Sequence, residues 1–112
     1  MKNNKCFIIG SMVEPRWKNR MYNMELRVES DKFFFHCGEI DIKEGFYKAV
    51  SPRTVLKGTE GKLKRWFKLR KAILSCSTVY VLKNYIDDEE AFNLFSFACK
   101  AHRDIIMEED EQ

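Results

Sequence analysis

Cys6-Phe7-Ile8-Ile9-Gly10-Ser11 and Thr78-Val79-Tyr80-Val81-Leu82 decide how this chain folds. Each is a short apolar run without polar alternation. Each gives way at once to small or polar residues, Gly10-Ser11 in the first case and Lys83-Asn84 in the second. A strand with one face in water alternates, whereas a strand covered on both faces does not. Unbroken apolarity therefore predicts strands of a parallel sheet with helices on both sides.

The intervening residues supply the helices. Trp17, Met21, Met24 and Val28 form one helical stripe behind Pro15, which a first turn tolerates because its missing N–H would be unpaired there anyway. Ser30-Asp31 ends that helix, and Phe33-Phe34-Phe35 reads as a second buried strand closing at His36-Cys37-Gly38. The spacing predicts a helix over Lys62–Ser75, with Leu63, Trp66, Phe67, Ile73 and Leu74 as its buried stripe and Lys62, Lys64, Arg65, Lys68 and Lys71 opposite. Asp87-Asp88-Glu89-Glu90 places carboxylates at a helix start, where caps and the helix dipole favour them. Ala91, Leu94, Phe95, Ala98 and Ala101 follow as the inward stripe, and Asp104-Ile105-Ile106-Met107 is a last strand. Residues 38–61 hold four glycines and Pro52 without a sustained period, and read as a long loop of the kind that serves function. The order β-α-β-loop-α-β-α-β predicts a three-layer, flavodoxin-like α/β domain with a mostly parallel sheet of four or five strands.

The 112 residues make one domain, 1–112, ending in an acidic tail at residues 108–112. Apolar residues at 45% and charged residues at 33% exclude a disordered chain. No apolar run approaches the roughly 18 residues of a membrane span, and the apolar stretch behind the polar Met1–Lys5 ends at Gly10, too soon for a signal-peptide core. A cytoplasmic protein without membrane contact is the expectation. The cysteines, Cys6, Cys37, Cys76 and Cys99, show no C-x-x-C, and His36 and His102 stand far apart, so neither a metal site nor a cofactor is expected.

The net charge of +3 is unevenly spread. Lys48 to Lys71 carries nine basic residues and one acid, a block of +8, against 11 basic and 16 acidic residues elsewhere. Arg53, Lys57, Lys64, Arg65, Lys68 and Lys71 are thus a candidate surface for nucleic acid or an acidic protein, with a solvated helix face as the plain alternative.

An open parallel sheet binds its ligands beyond the carboxyl ends of its strands, where strand order reverses. That rule selects Gly10, Ser11, Met12, His36, Asn84 and Asp88 as candidate ligand contacts. The chain has neither the G-x-G-x-x-G fingerprint nor a P-loop. For Gly10, close approach to a ligand and a tight strand-to-helix turn are equally good explanations.

Three stretches resemble the nucleoside 2-deoxyribosyltransferase-like family, in particular its short branch in bacteria and phages. They are the opening strand and turn Cys6 to Met12; the helix and strand Trp66 to Leu82; and the loop and helix Asn84 to Leu94, running on to Ile106. Together the likeness spans roughly residues 5–36 and 62–107. It implies cleavage or transfer of the N-glycosidic bond of a deoxynucleoside or its phosphate, by a carboxylate that meets an oxocarbenium-like anomeric carbon. It also implies a homodimer. The family's catalytic carboxylate falls on Leu94, and its two other acidic positions fall on Leu69 and Ser77. This leaves a non-catalytic nucleotide- or nucleotide-derivative-binding protein, a pseudoenzyme on the family scaffold, as the first reading. An active glycosidase or transferase using Glu90, one turn before Leu94, is the second. An interaction or inhibitor protein using the basic block is the third.

Overall fold

A computed structural model describes residues 5–29 and 47–108. Its elements are β1 (Lys5–Ile9), α1 (Trp17–Val28), β2 (Lys48–Val50), α2 (Pro52–Val55), α3 (Lys62–Leu74), β3 (Thr78–Val81), a 3₁₀ helix (Lys83–Asp87), α4 (Glu89–Lys100) and β4 (Asp104–Met107). The strands form one parallel sheet in the order β2-β1-β3-β4. Phe7 lies level with Val50 on one side and Val79 on the other, and Val79 is level with Ile105. The two apolar runs are thus the central strands, and Phe7, Ile8, Ile9, Val79 and Val81 are fully buried.

From β1 the chain steps outward to β2, then returns past β1 to β3 and β4. Right-handed crossovers put α1 on one face of such a sheet and α3 and α4 on the other. Accordingly α1 packs on β1 and β2, α3 packs on α4, and the short α2 touches both α1 and α3. This is the three-layer α/β architecture expected. α1 buries Met21, Met24 and Val28, and α4 buries Ala91, Leu94 and Ala98.

Two expectations need correction. The stretch read as one long loop contains β2 and α2. β2 has three residues, too few for a hydrophobic period, and Ser51-Pro52 starts α2 directly behind it. The backbone N–H of Ser51 donates to Thr54 Oγ1 at 3.1 Å, which closes that turn. The strand assigned to Phe33–Phe35 and residue His36 lie outside the described residues, as do residues 38–46 and 109–112.

The second correction concerns α3. The helix runs where the spacing predicts, but of the expected stripe only Ile73 is buried. Leu69 and Ile73 face the core, while Leu63, Trp66, Phe67 and Leu74 are exposed. The side turned inward is the one that buries Leu69 and Ile73 completely, with two ion pairs beside it. Arg65 turns inward to Glu90 and Lys68 to Glu60. Those ion pairs lie on the polar flank that faces the domain, while much of the apolar stripe stays outside.

Candidate functional site

The carboxyl end of β1 runs into Gly10, Ser11 and Met12, all buried. β1 and β3 stay in register to their ends, where the Leu82 N–H donates to the Ile9 carbonyl at 2.8 Å. A side chain at Gly10 would put its Cβ 2.6 Å from Leu82 Cδ1 and 3.2 Å from Asn84 Oδ1. Gly10 therefore sits against the Leu82 and Asn84 side chains of its own chain, which would have to shift to admit a Cβ.

Beyond it, the Ser11 N–H donates to Asn84 Oδ1 at 3.0 Å, and Asn84 Nδ2 donates to Glu14 Oε1 at 2.6 Å. The Met12 N–H donates to Asp88 Oδ2 at 2.8 Å, while Asp88 Oδ1 accepts the Glu90 N–H at 3.0 Å and so caps α4. Gly10, Ser11, Met12, Asn84 and Asp88 are thus brought together as the sequence suggested. Their polar atoms bond to one another and to Val13, Glu14 and Glu90, in a clasp across the ends of β1 and β3.

Among the described residues, a cleft lies one strand over, between the helices that follow β1 and β2. This cleft of about 640 Å³ is walled by Trp17, Lys18 and Tyr22 of α1 and by Arg53, Leu56 and Lys57 behind β2, with Arg65 at its α3 side. Its volume is in the range of small-molecule sites. Arg65 joins the cleft to the β1 turn, since its Nη2 also contacts Met12 Sδ at 3.3 Å.

The cations of the cleft fall into two kinds. Arg53 is held by the buried Glu25, with Nη2 to Oε1 at 2.6 Å and Nε to Oε2 at 2.9 Å, and its guanidinium lies 5.0 Å from the Tyr22 ring centre. Ser51 Oγ donates to the same carboxylate at 2.6 Å. Burial pushes the Glu25 carboxyl up, but the hydrogen bonds from Arg53 and Ser51 and the charge of Arg53 outweigh it, and the group is held below its ordinary value. Arg65 clasps Glu90 in a fork, Nε to both oxygens at 2.9 Å and Nη2 to Oε1 at 2.6 Å. Lys18 and Lys57, by contrast, have no carboxylate partner among the described residues. Lys18 stands 5.7 Å from the Trp17 ring centre.

Glu60 shapes the wall that carries Lys57. Its two oxygens accept the Lys57 N–H at 2.7 Å and the Gly58 N–H at 2.8 Å, and Lys68 Nζ reaches Oε2 at 2.9 Å. These bonds, led by the one from Lys57, hold its carboxyl well below the usual range. Gly58 has φ of 94°, a left-handed conformation that suits glycine and lets both N–H groups point inward.

The basic set is therefore split. Arg53, Arg65 and Lys68 are ion-paired; Lys57 faces the cleft; Lys64 and Lys71 are exposed on α3. Glu90 lies at the start of α4 with both oxygens in the Arg65 fork. Leu94 and Leu69 are fully buried, so a carboxylate at either position would meet the core rather than a ligand. Trp17, Lys18 and Tyr22 were not legible as site residues. Trp17 read as part of the buried stripe, and nothing local ties α1 to a loop more than 30 residues away. The described residues gather no group of three His, Cys, Asp or Glu that would hold a metal. They include no helix long and apolar enough to cross a membrane. No protein-family model and no curated protein sequence matches this chain.

Proposed function

We propose that the protein binds a nucleotide or nucleotide-derived anion in the cleft between α1 and the α2–α3 segment, on a deoxyribosyltransferase-like scaffold, without turning it over. The observation that carries this reading is the pairing of two lysines that lack a carboxylate, Lys18 and Lys57, with two aromatic side chains, Trp17 and Tyr22, around one cleft. A phosphate group finds cations that are not already neutralised. A base finds aromatic surface on which stacking contributes about 1–3 kcal/mol. Arg53, pinned by Glu25, keeps its guanidinium at a fixed place in the wall, which lowers the ordering cost of binding.

Glu90 argues against turnover. A nucleophilic carboxylate needs a free lone pair directed at the anomeric carbon. Here both oxygens accept from Arg65, which leaves lone-pair capacity on the carboxylate but ties its charge to the guanidinium and lowers its nucleophilicity.

Calorimetric titration with the four deoxynucleoside monophosphates, their nucleosides and inorganic phosphate tests the reading. The monophosphates should bind more tightly than either fragment, and Lys57→Glu should remove binding while leaving the melting temperature unchanged. No heat from any monophosphate at low salt would dismiss the proposal.

A further inference from the structure

α3 leaves an apolar face in water. Leu63, Phe67 and Leu74 are 69%, 58% and 51% exposed, and Trp66 is 46% exposed. Spacings of four, seven and eleven from Leu63 bring Phe67, Arg70 and Leu74 to one side of the helix, with Trp66 at its edge. The face is ordered rather than loose. The Trp66 and Phe67 rings meet edge to face at 5.0 Å, and the Arg70 guanidinium covers Trp66 at 4.2 Å while reaching Phe97 of α4 at 5.7 Å. Monomeric proteins seldom leave a contiguous apolar patch of this kind uncovered without use.

The charges beside it select its occupant. α3 carries six basic residues and no acid. Arg65 and Lys68 are neutralised on the inner side by Glu90 and Glu60. Lys64 and Lys71, seven residues apart and therefore on one flank of the apolar face, have no carboxylate partner among the described residues. We infer that the outward face of α3 docks an acidic amphipathic segment of another protein, its apolar side on Leu63, Phe67 and Leu74 and its carboxylates on Lys64 and Lys71. A second copy packed face to face would set lysines against lysines, which disfavours that pairing. Single-stranded nucleic acid would use aromatic faces and phosphates. Here the Trp66 face is already covered by Arg70, and the aliphatic Leu63 and Leu74 would gain little. An apolar stripe with charged flanks instead matches the recognition of one amphipathic helix by another. This surface is separate from the nucleotide cleft and does not depend on it.

The test uses a dye-labelled amphipathic helical peptide with leucines on one face and glutamates on its flanks. Its counterpart has the same leucines and lysine flanks. Fluorescence anisotropy at low salt should show the glutamate peptide binding about tenfold or more tightly than the lysine peptide. Phe67→Ser should weaken it by about tenfold, the effect of losing a central apolar anchor. Lys64→Glu with Lys71→Glu should reverse the charge preference, and Lys57→Glu in the cleft should leave peptide binding unchanged. Because Phe67 is exposed, circular dichroism of Phe67→Ser should show an intact fold. Equal binding of the two peptides, or binding of neither, would overturn the inference. So would a wild-type dimer in sedimentation that Phe67→Ser dissolves, or displacement of the peptide by oligothymidylate.

Discussion

Asp88 holds Met12 through the Met12 backbone N–H, at 2.8 Å to Oδ2, while its other oxygen caps α4 through the Glu90 N–H. One buried carboxylate thus fixes the turn after β1 to the start of a helix 76 residues further on. Removing it leaves a helix start uncapped and a backbone donor unpaired. These effects cost about 1 kcal/mol and about 1–3 kcal/mol respectively. Asp88→Ala should therefore lower the urea midpoint by the equivalent of about 2–4 kcal/mol. A loss below about 0.5 kcal/mol, the range of ordinary surface changes, would mean that the clasp contributes little to stability.

Leu94 separates scaffold from chemistry. It is fully buried between Ala91 and Ala98 on the inner face of α4. Leu94→Glu introduces the acidic residue that the resemblance would place there, but puts it among apolar neighbours. An unpaired buried carboxyl raises its pKa and still costs free energy. The variant should be destabilised by at least ~2 kcal/mol in a denaturant melt. An unchanged midpoint would show that Leu94 lines an open cleft.

The central strands and α1 and α4 were legible because burial on both faces, or on one clean stripe, writes itself into residue order. Cys6–Ile9, Thr78–Leu82 and the Ala91–Leu94–Ala98 stripe needed no information from elsewhere in the chain. β2 was not legible, because an edge strand as short as Lys48–Val50 has no period. α3 was legible as a helix but not in its orientation. Which side of an amphipathic helix turns inward depends on the surfaces it meets, here the core around Leu69 and Ile73 and the carboxylates of Glu60 and Glu90, and these come from elsewhere in the chain. The candidate site shows the same division. Gly10, Ser11, Met12, Asn84 and Asp88 were found together by the rule for parallel sheets. That their hydrogen bonds would be made largely within the clasp, and that a cleft would form beside Trp17, Tyr22 and Lys57, are properties of side-chain geometry that no local pattern encodes.

Glu60 gives a pH dependence with a definite sign. Its carboxyl is held well below the usual range by the Lys57 and Gly58 N–H groups and by Lys68. The folded protein therefore keeps it ionised to lower pH than the unfolded chain does. The stability it contributes is complete above the unfolded value of about 4.3 and is lost as pH falls toward the folded one. The melting-temperature gap between wild type and Glu60→Gln should be constant from about pH 7 to about pH 5 and shrink below about pH 4. A gap that stays constant through the acid range would contradict the assignment.

Glu90→Gln distinguishes a catalytic carboxylate from a charge that restrains Arg65. If Glu90 attacked the sugar, wild type would release free base from a deoxynucleoside monophosphate and the variant would not. A binding role without turnover predicts no release from either, even at high protein concentration. It also predicts the opposite direction for binding. Glu90 neutralises Arg65, which lines the cleft beside Lys57. The amide keeps much of the shape but removes the competing negative charge, so the guanidinium becomes available to a phosphate. The pair is about one-third exposed on each side, and its coupling is that of a solvent-screened bridge. The gain in monophosphate affinity should accordingly be modest, about two- to fivefold, and smaller at high salt. Nucleosides without a phosphate should bind the two proteins equally. A monophosphate affinity that falls in Glu90→Gln would contradict Arg65 as a phosphate contact, and base release that the substitution removes would make Glu90 catalytic.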